Sequence, residues 1–465
     1  MLSADAESLV VPLSGIDQNG VHTSSITFGY VVRDVDVKAL EEAANRAAEE
    51  WRLLAGRVEW NGDIKSYQIR VPVAATLPPG YALTKFTTSQ LRSTKLPLTP
   101  LTDDSATALE KPPAKYFRHP STFNSLADFA SKKAPLLSLH VSFMANCTCI
   151  GMTLPHGVFD ATGMGQVVKA INSCLNNLPW VPPKLSSSNI LTEELRRLKE
   201  SENVGEACPP GLADLQRDFS SVNVKNVLTV GSSVATELFW HRVKAGAVYL
   251  GPEVVEDIVS KVKKQAAAEG KGWVSTGDIL VSFIIKAAYL EEGPTSLNSI
   301  RVSAAVSLRS ALAPSNREFE EYSHNALLPL AFPSLTVQEV SAMSLCDLAL
   351  IHRKAIENVR NIAYIQGYEK WVPTIGGSAI PAGDRKSDAW LLSNQVIGGM
   401  DKFDFGSELL GLWHYMLPFM VPHAFTLNRL RGGYICDLFS GIRPSRMKSI
   451  EKALEGIRNG TPLVL

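Results

Sequence analysis

Apolar residues recur at helical spacing over residues 37–54, at Leu40, Ala43, Ala44, Ala47, Ala48 and Trp51. That pattern predicts an amphipathic helix with Gly56 as its stop. Residues 25–32 alternate like a strand, and strands are expected at 57–59 and 67–72. Residues 77–135 are rich in Pro, Ser and Thr and read as irregular, with a short helix near 126–132. The apolar run 136–154 reads as one buried strand, followed by a helix over 163–175. Residues 179–222 contain Trp-Val-Pro-Pro, Ser-Ser-Ser and Cys-Pro-Pro and read as a crossover carrying a charged helical piece at 192–202. Beyond it come a strand (238–250), helices (252–269 and 275–291), a strand (301–306), a helix (345–361), a strand (434–440) and a closing helix (444–456). Strands and helices interleave in both halves, which predicts mixed α/β architecture. A chain of 465 residues is two domains' worth. The expected division is 1–180, a linker over 181–225, and 226–465.

Composition narrows the function. Lys+Arg and Asp+Glu number 46 each, so no net field favours nucleic acid or an acidic membrane surface. Any anionic ligand must meet a local basic patch. Six cysteines (147, 149, 174, 208, 346, 436) are too few in this length for a disulfide framework, and none has partners at metal-ligand spacing. Buried free thiols and no metal are expected. The first residues lack a basic and then apolar secretory pattern, the C-terminal Pro-Leu-Val-Leu is no retention address, and the apolar run 279–290 is too short to span a bilayer. The simple reading is a soluble, cytoplasmic protein. There is no G-x-S-x-G elbow, no P-loop and no complete G-x-G-x-x-G.

The sharpest local feature is Leu-Pro-His-Gly-Val-Phe-Asp, with His156 four residues before Asp160. A histidine where a strand ends is well placed to act as a base near pH 7. One such pair arises by chance in about half of chains with this histidine count, given roughly 5% aspartate. The bland alternative is a core histidine beside a helix-capping aspartate. The other eight histidines (22, 119, 140, 241, 324, 352, 414, 423) have no Asp at that spacing.

Further segments stand in a fixed order along the chain. These are Pro-Leu-Ser-Gly-Ile-Asp-Gln (12–18), Leu-Ala-Gly-Arg (54–57), Val-Ser-Thr-Gly-Asp-Ile-Leu (274–280), Val-Ser-Leu-Arg (306–309), Tyr-Ser-His-Asn-Ala (322–326), Ser-Asn-Gln (393–395) and Asp-Phe-Gly (404–406). With His156 and Asp160 they make the chain resemble the BAHD acyl-CoA-dependent acyltransferases, in a divergent fungal branch similar to the trichothecene acetyltransferases. The resemblance runs from about residue 12 to 454. It implies two similar chloramphenicol-acetyltransferase-like domains, each a mixed sheet flanked by helices, with the active-site tunnel between them. It implies a monomer whose partners are acyl-CoA, as cosubstrate, and a small-molecule alcohol of specialised metabolism. No permanently bound cofactor, nucleic acid or membrane is expected.

The resemblance also implies roles. His156 would be the general base of a ternary complex. Asp160 would point away from substrate and pair with Arg309, and Asn325 would orient the histidine. Ser393 is a candidate hydroxyl for the oxyanion. Asp404, Phe405 and Gly406 form a structural turn. For CoA phosphates, Lys261, Lys263 and Lys264 on the helix after Pro252 are candidates, with Ser275 and Thr276 nearby; lysines on a helix face are usually only a solvated surface. Departures from the family pattern are Ala161 for its Gly, Ser407 and Gln395 for its tryptophans, Ser307 for the Asp of V-D-x-R, and His324 for a Gly. These keep open two other readings: a cyclase or related pathway enzyme working without CoA, and a metabolite-binding protein without turnover.

Overall fold

The computed structural model describes residues 8–18, 20–74, 77–201, 209–292, 296–375, 379–381, 387–417 and 421–460. Cys208 and the chain ends lie outside them. The remaining cysteines are buried and free.

Four sheets form. A five-stranded sheet runs in the order Leu409–Leu417, Ser25–Val32, Thr148–Pro155, Ser138–Met144, Lys85–Leu91. An eight-stranded sheet has the main path Leu327–Ala331, Ser299–Ser307, Ser387–Asn394, Ala424–Leu430, Gly433–Ile442, Lys244–Leu250, Ala106–Glu110. Smaller sheets join Ser8–Pro12, Ser66–Pro72 and Arg57–Asn61, and Ala379–Pro381 with Phe219–Ser221. Both large sheets mix parallel and antiparallel pairs.

Each half of the chain lends a strand to the other's sheet. Leu409–Leu417 pairs antiparallel with Ser25–Val32, and Ala106–Glu110 pairs antiparallel with Lys244–Leu250. The core around the first sheet accordingly contains Phe403, Phe405, Trp413 and Met416 beside Phe28, Tyr30 and Trp51. The second core gathers on the buried helix Thr276–Ala288.

Helices whose apolar stripe and caps agree form close to their expected bounds. Asp36 caps Val37–Glu50 by accepting from Ala39 N at 3.0 Å, and Leu40, Ala43, Ala44, Ala47 and Ala48 face the core. Proline opens Pro252–Ala268 and Pro444–Arg458, where its missing N–H costs nothing.

Three expectations fail for physical reasons. The run 136–154 is a hairpin, Ser138–Met144 and Thr148–Pro155, not one strand. Its turn is closed by Met144 N–H on the Cys147 carbonyl at 3.0 Å and pinned by Asn146 to the Leu96 backbone. The irregular stretch 77–135 holds two strands, Lys85–Leu91 and Ala106–Glu110; the first is a polar edge strand without an apolar signature. In 238–250 the strand begins only at Lys244, because Thr236–Trp240 continues the helix Val224–Ala235 and leaves Phe239 and Trp240 exposed. Arg242, at φ +53°, makes the break.

Candidate active site

The strand Thr148–Pro155 runs beside Ser25–Val32, and the pairing continues one residue further through His156 N–H on the Ser24 carbonyl at 3.0 Å. The chain then turns, and Asp160 begins the helix Ala161–Leu175. The turn sets the imidazole: Nδ1 lies 3.2 Å from the Phe159 carbonyl, an acceptor only, so Nδ1 carries the proton and Nε2 keeps its lone pair. The His22 ring packs edge-on against it, with centroids 4.5 Å apart. His22 is fixed in turn by its Nδ1–H on the Ile16 carbonyl at 2.6 Å. Burial, and secondly the positive charge His22 can carry, push the His156 pKa down to about 3. The ring is therefore neutral throughout the physiological range.

The Asp160 carboxylate is fully buried and accepts four hydrogen bonds from three residues. Arg309 donates from Nη1 at 2.8 Å and Nη2 at 2.9 Å, Gly163 N–H at 3.0 Å and Ala326 N–H at 3.1 Å. Burial alone would raise this carboxyl, but the Arg309 charge and these hydrogen bonds hold it below the ordinary value. Arg309 also donates to the carbonyls of Tyr322 and His324. Asp160 thus caps one half's helix and locks it to a loop of the other half. The Ser307 hydroxyl lies 3.3 Å from Arg309 Nη1. The approach is close: a Cβ on Gly163 would stand 1.9 Å from the Ser323 carbonyl oxygen, and one on Gly165 2.0 Å from that of Gly398.

Asn325 reaches His156 through the main chain and not the ring. Its Nδ2 donates to the His156 carbonyl at 2.8 Å and to Asp17 Oδ1 at 2.8 Å. Burial raises Asp17 to about 6, against its bonds to Ser14 and Asn325 and the nearby His22.

Between the halves lies a cavity of about 140 Å³. His22, His156 and Asp160 line it from one side, Ser307, Ser393 and Thr426 from the other. An engineered cavity of roughly this size, about 150 Å³, holds benzene. Ser393 and Thr426 sit opposite each other on adjacent strands, and Thr426 is in turn opposite Asp437. The three side chains therefore form a row on one face of the sheet.

Other expected residues lie elsewhere. Lys261 points to solvent and pairs with Asp257 at 2.6 Å, and no residue of Pro252–Ala268 lines the cavity. Ser275 is engaged in a capping box with Asp278, which also pairs with Arg353. The helix start at Thr276 does come close to the wall, since a Cβ on Gly277 would stand 2.4 Å from Asn394 Nδ2. Asp404, Phe405 and Gly406 form a turn away from the cavity. Asp404 N–H and C=O bond Asn172 and Asn176 near the end of the Ala161–Leu175 helix, Phe405 stacks on Phe403, and Gly406 has φ +67°. Sequence reasoning assigned nothing to His22, Thr426 and His414, all of which line the cavity. Only the nearness of His22 to the Asp17 segment hinted at any of them.

No family model matches the chain. Over 264 residues it is 25% identical to Acetyltransferase BOT5 of Botryotinia fuckeliana, covering 54% of this chain and 46% of that protein. Over 246 residues it is 23% identical to O-acyltransferase pboC of Aspergillus ustus, covering 53% and 49%. The matched region spans about half the length of these curated relatives. Among solved structures, TRI101 of F. graminearum complexed with ethyl coenzyme A superposes with a TM-score of 0.64 at 15% identity, over 95% of this chain and 96% of that one. Vinorine synthase superposes at 0.58 and 14%, over 98% and 94%. This is the two-domain, chloramphenicol-acetyltransferase-like fold of the BAHD acyltransferases. In this chain His156 and Asp160 stand where the first sheet meets the second half, Arg309 pairs with Asp160, and Ser393 lines the cavity. No helix among the described residues is long and apolar enough to cross a membrane, and none of their His, Cys, Asp or Glu side chains cluster in threes suited to a metal.

Proposed function

We propose that the chain is an O-acyltransferase, moving a short acyl group, acetyl first of all, from acyl-CoA to a hydroxyl of a specialised metabolite. The observation that carries the reading is a neutral imidazole, its Nε2 lone pair unprotonated, on the wall of a cavity built from both halves. The names of the curated relatives, an acetyltransferase and an O-acyltransferase, support it. So do the structural neighbours solved with coenzyme A and with T-2 mycotoxin or deoxynivalenol.

In the reaction His156 Nε2 takes the proton of the acceptor hydroxyl as its oxygen attacks the thioester carbonyl. The C–O bond forms and the carbonyl pair moves onto oxygen, where the Ser393 hydroxyl is placed to donate. The intermediate collapses, the C–S bond breaks, and the thiolate takes the proton back from His156. No covalent enzyme intermediate is needed when both substrates bind together. A ring held near pKa 3 is a weak base alone. It works here because the imidazolium forms only as the oxyanion forms beside it. Asp160 and Arg309 position the histidine's turn and exchange no proton. The helix start at Ser275 and Thr276 and the cationic face with Lys261 and Lys264 are assigned to the donor's pantetheine and phosphates. The enzyme is read as a cytoplasmic monomer with a tunnel between its domains.

The test is release of free CoA from acetyl-CoA in the presence of a panel of terpenoid and polyketide alcohols. Release is expected with the native chain and lost in His156→Ala. Equal release by the variant overturns the base assignment, and no release with any acceptor overturns the reaction.

A further inference from the structure

His414 is the most unusual side chain in the cavity wall. It is buried, and neither ring nitrogen has a hydrogen-bond partner among the described residues. Its ring stands edge-on to Phe28, with centroids 5.5 Å apart, and to Phe439 at 4.7 Å, so its surroundings in the protein are aromatic. Its backbone, by contrast, is firmly held. The buried pair of Lys111 and Asp437, 2.6 Å apart, grips the His414 peptide from both sides: Asp437 Oδ2 accepts its N–H at 2.6 Å, and Lys111 Nζ donates to its carbonyl at 2.5 Å. Lys111 follows the strand that one half lends to the other's sheet, and His414 lies on the strand lent in return. The exchange thus presents this ring to the cavity.

A second polar atom shares its condition. Thr426 lines the same cavity, and its buried Oγ1 has no partner among the described residues. Two buried polar side chains without protein partners in one small site run against the general rule that such groups are satisfied. Burial, and secondly the charge of Lys111, keep the His414 ring neutral, so it offers one N–H donor and one bare nitrogen. The Thr426 hydroxyl both donates and accepts. A carboxylate would leave the bare nitrogen opposed to negative charge, and an ammonium would leave the N–H unmet. A hydroxyl meets both kinds of group.

We infer that His414 and Thr426 form a recognition subsite for a second oxygen of the acceptor, a hydroxyl near the one that reacts at His156. The inference rests on the acyl-transfer reading for which hydroxyl reacts, and on the cavity alone for the presence of the subsite. Its consequence is an acceptor class: compact cyclic diols or polyols, not simple alcohols. A ligand that displaces water from these atoms without bringing an oxygen loses affinity, and a site built to bond a hydroxyl discriminates strongly against its absence.

The experiment uses the full chain with cyclohexanol and the 1,2-, 1,3- and 1,4-cyclohexanediols as probes, ring sizes suited to the cavity. Dissociation constants are measured by ligand-detected NMR titration without CoA, and acetyl transfer is measured separately. The best diol isomer is expected to bind about tenfold or more tighter than cyclohexanol. In His414→Phe and Thr426→Val, each near-isosteric and checked by thermal melting, that ratio should collapse toward one. Equal binding of diols and cyclohexanol by the native chain, binding of neither, or an unchanged ratio in a folded variant overturns the inference. Variants that slow acetyl transfer to cyclohexanol and diols equally, with the binding ratio intact, overturn it too, by placing the pair at the reacting carbonyl. A diol preference without any acetyl transfer leaves the subsite standing and removes the acyl-transfer reading.

Discussion

Asp160 and Arg309 join the two halves; removing either should be costly, and removing both should cost less than the sum of the two. In Asp160→Ala the Arg309 guanidinium remains buried with only the Tyr322 and His324 carbonyls and the Ser307 hydroxyl as partners. Breaking a buried ion pair from one side costs about 3–5 kcal/mol. The lost cap on Gly163 N–H adds about 1 kcal/mol. Arg309→Leu leaves a carboxylate that keeps two backbone N–H donors, from Gly163 and Ala326, and should cost about 3–5 kcal/mol. With an unfolding entropy of roughly 2.1 cal/mol/K per residue, near 1 kcal/mol/K for this length, each kcal/mol lowers the melting temperature by about 1 °C. The single variants should therefore melt about 3–6 °C early. The double variant leaves no unpaired charge, so its loss should fall short of the sum by about 1–3 kcal/mol. Urea unfolding of the four proteins reads all three quantities. In activity, Asp160→Ala should lower kcat without moving the pH profile, because the Asp160 oxygens bond Arg309 and backbone amides and not the imidazole. Single losses below about 1 kcal/mol, or strict additivity, would refute the lock; an altered pH profile would put Asp160 in the proton path.

Other outcomes follow from the same geometry. His156→Ala should lower kcat about 10²–10⁴-fold with the melting temperature little changed, and a fall below tenfold argues against a base at this position. Because the His156 pKa is held near 3, the acid limb of kcat/KM should be absent between pH 7 and 5; a half-maximum near 6.5 would show a ring that titrates normally. Stability should nevertheless fall with acid. His324, His352 and His423 are each depressed to about 4, so between pH 6.5 and 4 the unfolded chain binds more protons than the folded one, and each histidine removes up to about 1.4 kcal/mol per pH unit. Asp17, raised to about 6, opposes this between pH 6 and its unfolded value, but as one group against several; a melting temperature that rises on acidification from 6.5 to 5 contradicts the assignment. Gly163→Ala should separate the helix from the Ser323 carbonyl and cost more than about 1 kcal/mol in urea unfolding, whereas Gly456→Ala, in open space, should not.

Local signals were readable and pairings were not. The helices Val37–Glu50, Pro252–Ala268 and Pro444–Arg458 announce themselves because the stripe, the cap and the breaker sit within one short window. The strand Leu409–Leu417 is almost wholly apolar, Leu-Leu-Gly-Leu-Trp-His-Tyr-Met-Leu, and such a run does not say helix or strand, still less that it pairs with Ser25–Val32 at the other end of the chain. The site divides the same way. His156 and Asp160 lie four residues apart around one turn, so the spacing itself is the structure. The two sequence interpretations of Asp160, helix cap and buried ion partner, are both true of one carboxylate. His414 and Thr426 carry no motif. They reach the cavity only because His414 falls opposite Phe28 and Thr426 opposite Ser393, registers fixed by long-range pairing.

That dependence bears on what a domain is in this chain. A cut near residue 180 keeps His156 but removes Leu409–Leu417, which exposes Ser25–Val32 as a bare edge and takes away Trp413 and Met416 from its core. The complementary piece keeps Ser393 and Thr426 but loses Ala106–Glu110 from its sheet and Lys111 from beside Asp437. Neither piece retains the cavity, because one wall belongs to each. The His156 imidazole, the ion pair beneath it and the proposed second-oxygen subsite therefore all depend on both halves and on the strands they exchange.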